Sequence, residues 1–125
     1  MPVPVAYRPF NTGTAPDRVL PQRVRHPLFA LLGLRPLASQ HSEAEDRLLR
    51  RYAKRAGRVL VEIGVAEGGS AVSLREEMPA DGCLYLIDPF FRGRLPFTSA
   101  TRLVAHRAVD SVSRGQVVWL EQYSF

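Results

Sequence analysis

Cysteine is almost absent from this chain: Cys83 stands alone, which excludes an internal disulfide and a thiolate metal cluster. Lysine is equally scarce. Lys54 is the only one, and the other basic residues are arginines spread from Arg8 to Arg114 without forming a run. A formal net charge of +5 therefore reads as an Arg-rich solvated surface, because a dedicated nucleic-acid patch requires clustering. Apolar stretches fall far short of the roughly 18 residues that a membrane span takes. The N-terminus carries Pro2, Pro4 and Pro9 and lacks the apolar core of a signal peptide. The three histidines, His26, His41 and His106, show no metal-ligand spacing. These absences predict a cytoplasmic protein with no membrane segment and no nucleic-acid partner.

What is present is a soluble composition of 46% hydrophobic and 23% charged residues over 125 positions, enough for one domain with a small core. Each strand with its crossover helix takes roughly 30 residues or more, so the length accommodates about half of a doubly wound nucleotide-binding fold. Pro2, Pro4, Pro9, Pro16, Pro21 and Pro27 remove amide donors and disfavour helix before them, which predicts an extended arm. An apolar patch, Leu28 to Leu34, follows and is read as a candidate helical turn that packs either on the main body or on a partner chain. The expected division is a Pro-rich arm over 1–41 and an α/β domain over 42–125.

Within the domain, Ser42 and Glu45 match the spacing of a capping box and open a helix to about Ala56, with Gly57 as its stop. Leu48, Leu49 and Tyr52 lie at helical spacing, and Arg47, Arg50, Arg51, Lys54 and Arg55 fill the other faces. Val59 to Ile63 is a β-branched run too short for a helix, hence a buried strand. A helix over Ser70 to Met78, with Ala71, Val72 and Leu74 inward, precedes a second strand, Leu84 to Ile87. A helix from about Ser99 to Ser113 then leads to a third strand, Val117 to Leu120. This alternation predicts a Rossmann-like, doubly wound parallel α/β sheet limited to its first three strands, in the order 3-2-1, with crossover helices.

The chemistry concentrates in Glu62-Ile63-Gly64-Val65-Ala66-Glu67-Gly68-Gly69-Ser70, which joins the first strand to the next helix. Ligands of open α/β sheets sit beyond the carboxyl ends of strands, beside such turns. Gly64 permits a tight turn close to a ligand, Gly68 and Gly69 keep the helix start open, and the helix amides with the Ser70 hydroxyl suit an anion. Asp88 ends the second strand 24 positions after Gly64, where a carboxylate can accept from both hydroxyls of a ribose. The pattern specifies an adenosine-type ligand. A dinucleotide fingerprint fails because Ala66 stands two after Gly64, and a P-loop fails because Ser70 follows Gly69 with no lysine between.

Glu62-x-Gly64-x-x-x-Gly68-x-Ser70-Ala71-Val72 followed by Leu84-Tyr85-Leu86-Ile87-Asp88 resembles motif I and the acidic second-strand motif of class I S-adenosylmethionine-dependent methyltransferases. The likeness is to catechol-type and related small-molecule O-methyltransferases, and it covers about Ser42 to Ser124. It implies that Gly64 and the backbone near Ala66 and Gly68 face the methionine portion of S-adenosylmethionine. Ser70 would bind its carboxylate, Asp88 the ribose hydroxyls, Glu62 would lie under the site, and Tyr123 and Ser124 would approach the adenine. The partner implied is a small-molecule acceptor. The family has seven strands in the order 3-2-1-4-5-7-6, and its fourth strand supplies the metal-binding aspartate of the catechol-type enzymes. That strand is not in this chain, so a divalent metal belongs to the longer enzyme and no catalytic residue can be named here.

With later strands missing, the first strand exposes an apolar edge, an aggregation hazard unless another chain covers it. Two expectations follow: the cofactor-binding N-terminal portion of a methyltransferase, or a non-catalytic truncated module that assembles with a partner, including a second copy. Of the remaining residues, Glu67 reads as solvated, His106 as a surface or helix-packing residue, and Cys83 and Trp119 as core. Phe90, Phe91, Arg92 and Arg94 follow the second strand and either border the cofactor or form a lid.

Overall fold

The computed structural model describes residues 5–7, 22–39, 41–90 and 99–123. Strands β3 (Val59–Ile63), β4 (Cys83–Ile87) and β5 (Gln116–Leu120) form a parallel sheet in the order β3-β4-β5. Val59 lies beside Cys83, and Cys83 beside Gln116. Because side chains alternate along a strand, Leu60, Leu84 and Leu86 share one face, and all three are buried. Helix α3 (Gly69–Glu77), between β3 and β4, adds Ala71, Val72 and Leu74 to that face. Helix α4 (Ser99–Asp110), between β4 and β5, adds Val104, Ala105, Ala108 and Val109. Each leucine so buried stabilises the fold by about 1.5–3 kcal/mol. The strand order and the alternation of strands with helices are those expected from the sequence.

Helix α2 (Glu43–Arg55) starts with the capping box read from Ser42 and Glu45: the Ser42 amide donates to the Glu45 carboxylate at 2.6 Å, and the Glu45 amide to Ser42 Oγ at 3.3 Å. The bond from the Ser42 backbone holds the Glu45 carboxyl below its ordinary range. The apolar stripe meets the core only in part, with Leu49 packed against it. Asp46 and Ala53 are its buried residues, while Leu48 and Tyr52 stay exposed. Asp46 accepts from Arg50 Nε at 2.8 Å and from Ser73 Oγ at 2.6 Å, and Arg50 reaches Glu76 at 2.7 Å. A polar network thus clamps α2 onto α3.

The Pro-rich segment departs from the extended arm expected through Pro27. Helix α1 (Gln22–Leu31) contains Pro27 and packs on α4, and Arg107 of α4 donates to the Leu31 carbonyl at 3.0 Å. Tertiary packing there outweighs the amide that Pro27 removes. Strands β1 (Val5–Tyr7) and β2 (Leu37–Ser39) pair in parallel as a separate two-stranded sheet that the sequence does not announce, since three residues are too few to show a period.

Candidate functional site

The site forms where β3 and β4 end. Gly64 leaves β3 with φ +82, a conformation that favours glycine, and a Cβ there would meet nothing within 4 Å. None of the described residues closes the space over the turn. Gly68, at φ +87, is different: a Cβ would lie 3.3 Å from the Ala105 Cα, so its small size lets α4 approach the loop. Gly68 also caps α3 without a side-chain hydrogen bond, so among the described residues no N-cap side chain serves the first-turn amides of that helix. Ala66 lies between the two glycines at φ +50, a left-handed conformation costly for a residue with a Cβ.

Asp88 binds the two loops together. Its Oδ2 accepts the amides of Val65 at 2.8 Å and Ala66 at 3.0 Å, and its Oδ1 accepts the Phe90 amide at 2.8 Å. A carboxylate offers about four lone-pair positions, so three backbone donors leave room for one more. Asp88 therefore anchors the turn directly.

Glu62 and Ser70 form the second polar pair, with the Ser70 hydroxyl donating to Glu62 Oε1. Oε2 of Glu62 is buried with no hydrogen-bond partner among the described residues, an arrangement that costs free energy unless something meets it. Burial, reinforced by the nearby Asp88 charge and opposed by the Ser70 hydrogen bond, pushes the Glu62 carboxyl up to about 7. Both residues line a groove of about 410 Å³ that runs along the outer edge of β3 under Leu49, Tyr52 and Ala56 of α2. Its size is that of a small-molecule pocket.

Glu67, read from the sequence as solvated, is buried. It pairs with Arg35 and accepts the Ala38 amide at 2.7 Å, tying the segment before β2 to the glycine loop. Its partners lie about thirty positions away, beyond any local pattern. His106 stacks on Trp119 with ring centroids 3.8 Å apart and lies 3.3 Å from Glu121, which also accepts from Arg102 at 2.6 Å. Trp119 is partly buried against the core, and Phe90, buried and left-handed at φ +42, completes the aromatic group. Cys83 is half-buried on the sheet face away from the helices rather than in the core.

The structure brings Glu62, Gly64, Ala66, Gly68, Ser70 and Asp88 together around one turn. Tyr123 is exposed beyond β5, and Ser124, Phe91, Arg92 and Arg94 lie outside the described residues. Among the described residues no group of three or more His, Cys, Asp or Glu is placed to hold a metal ion, and no helix is long and apolar enough to cross a membrane. Comparison with known families, curated proteins and solved structures finds no match to this chain.

Proposed function

We propose that the chain is the S-adenosylmethionine-binding portion of a Rossmann-like methyltransferase acting on a small molecule, most simply by O-methylation. The observation that carries this reading is the placing of an open Gly64 turn, uncapped α3 amides and the Glu62–Ser70 pair beside Asp88, at the carboxyl ends of adjacent parallel strands. Such a crevice suits a ligand with a carboxylate, an ammonium and a ribose. The α3 amides fit the carboxylate, the orphan Glu62 Oε2 fits the ammonium, and the spare lone pair of Asp88 fits a ribose hydroxyl. When bound, the sulfonium supplies an electrophilic methyl group. The chain's own contribution is then to orient it, since methyl transfer depends chiefly on alignment.

Isothermal titration with S-adenosylhomocysteine tests the reading. Binding that weakens in Ser70→Ala and Glu62→Gln while both variants remain folded supports it; absence of binding, or equal affinity in both variants, defeats it. A second reading, a non-catalytic module completed by another chain, is favoured by the sheet's bare side. Val59, Val61 and Ile63 are 62%, 55% and 65% exposed, whereas parallel sheets are ordinarily covered on both faces.

A further inference from the structure

The outer side of β3 has a specific geometry. The Gly64 amide donates to Ile87 and the Arg58 carbonyl accepts from Cys83, so by the alternation of a parallel ladder the even-numbered residues of β3 bond toward β4. Val59, Val61 and Ile63 therefore turn their amides and carbonyls outward, and among the described residues no strand pairs with them. Natural edges are blunted by lysine, proline, bulges or inward charges. β3 has no lysine, arginine or proline, and its one acidic residue, Glu62, faces the groove on the helix side. The other edge, β5, begins with Gln116 and its remaining residues are half-buried.

We propose that the β3 edge is a strand-pairing surface for a second copy of this chain, joined antiparallel across a two-fold axis at Val61. The register follows from the sequence of the strand. Centred on Val61, the pairing sets Val59 against Ile63 and Val61 against Val61, so each outward-bonding residue is matched and β-branched side chains meet on one face. Centring on Leu60 leaves Ile63 unmatched. Centring on Glu62 sets two carboxyl groups opposite each other. Only the Val61 register uses the whole edge without opposing charges.

A second copy fits better than a charged partner because the outward side chains of the edge are uncharged, and Tyr52 of α2, exposed on the groove beside the edge, adds apolar surface. The resulting six-stranded sheet runs β5-β4-β3-β3-β4-β5. This inference does not rest on the methyl-donor site, but it bears on the reading as part of a longer enzyme: in the strand order 3-2-1-4 a fourth strand would lie along this same edge, so a dimer formed here favours the module completed by another chain.

Sedimentation of the 125-residue chain at about 100 µM, a concentration suited to a small interface, should give a dimer. In a Cys83→Ser background, Val61→Cys should cross-link on mild oxidation, because a hydrogen-bonded antiparallel pair sets its Cα atoms about 5.5 Å apart, within disulfide reach. Val59→Cys should not, since its two copies would stand about 14 Å apart. Val61→Lys, with unchanged circular dichroism, should weaken association about tenfold or more. A monomer, which would leave the edge to some other chain, overturns the proposal. So does a dimer that survives Val61→Lys or cross-links through Val59→Cys instead.

Discussion

Ala66 donates its backbone amide to the Asp88 carboxylate at 3.0 Å, and the same carboxylate receives the Phe90 amide at 2.8 Å. Ala66 and Phe90 are the non-glycine residues with positive φ among those described, so one side chain holds both left-handed turns. Asp88→Asn keeps the shape but replaces one acceptor with an amide donor facing backbone donors. Its expected cost is about 3 kcal/mol, as for losing bonds to a charged group. Urea unfolding of the variant checks this, and a midpoint equal to wild type would remove Asp88 from the role of loop anchor.

The backbone at the turn makes opposite demands at two positions. Gly64→Ala is expected to cost about 1–2 kcal/mol from its left-handed conformation alone, because nothing lies within 4 Å of the new Cβ. Ala66→Gly relieves a similar strain but adds freedom to the unfolded chain, for a net gain of about 0.5 kcal/mol. Thermal melts of the two variants should therefore shift in opposite directions.

Local pattern carried most of the sheet. The Ser42–Glu45 box is legible because cap spacing acts within a few residues. Val59–Ile63 is legible as a strand from its β-branched run, but not as the buried strand expected, since Leu60 is buried while Val59, Val61 and Ile63 stand exposed on the face the helices leave bare. Of helix α1 only the turn from Leu28 was legible; its start before Pro27 was not, since the proline argues against it locally and only the distant surface of α4 favours it. The gathering of Gly64, Ser70 and Asp88 at one turn was readable from spacing, but their bonds were not. Asp88 spends three acceptor positions on amides, and Ser70 gives its hydroxyl to Glu62. Glu67 was misread because a charged residue in a glycine loop looks solvated until Arg35 and the Ala38 amide are folded over it.

That contact yields its own test. Glu67→Ala leaves a half-buried guanidinium and a backbone amide without this partner, so β2 should loosen from the glycine loop at a cost of about 2–3 kcal/mol. Hydrogen exchange at Ala38 should rise in Glu67→Ala, while exchange at Leu84 and Leu86 in the core changes only by the global loss of stability. Uniform acceleration at all three amides would mean that the contact belongs to the general fold and not to a local latch.

Glu62 gives the site a pH dependence whose sign is set by its burial. The folded carboxyl titrates near 7 against an ordinary 4.5, so between those values the folded chain holds a proton that the unfolded chain has released. Stability is therefore highest below 4.5 with respect to this group, falls as pH rises toward 7 by about 3 kcal/mol, and is level above. Glu62→Gln should flatten that segment of the profile and exceed wild type in urea resistance at pH 8. Ligand affinity should run the other way. An ammonium is held by the carboxylate and not by the neutral acid, so S-adenosylhomocysteine binding should strengthen as pH rises through 7 in wild type and lose that dependence in Glu62→Gln. Paired unfolding and titration series across this range separate the two effects, and a wild-type stability profile flat from pH 4.5 to 7 would contradict the buried, unmatched carboxyl from which both follow.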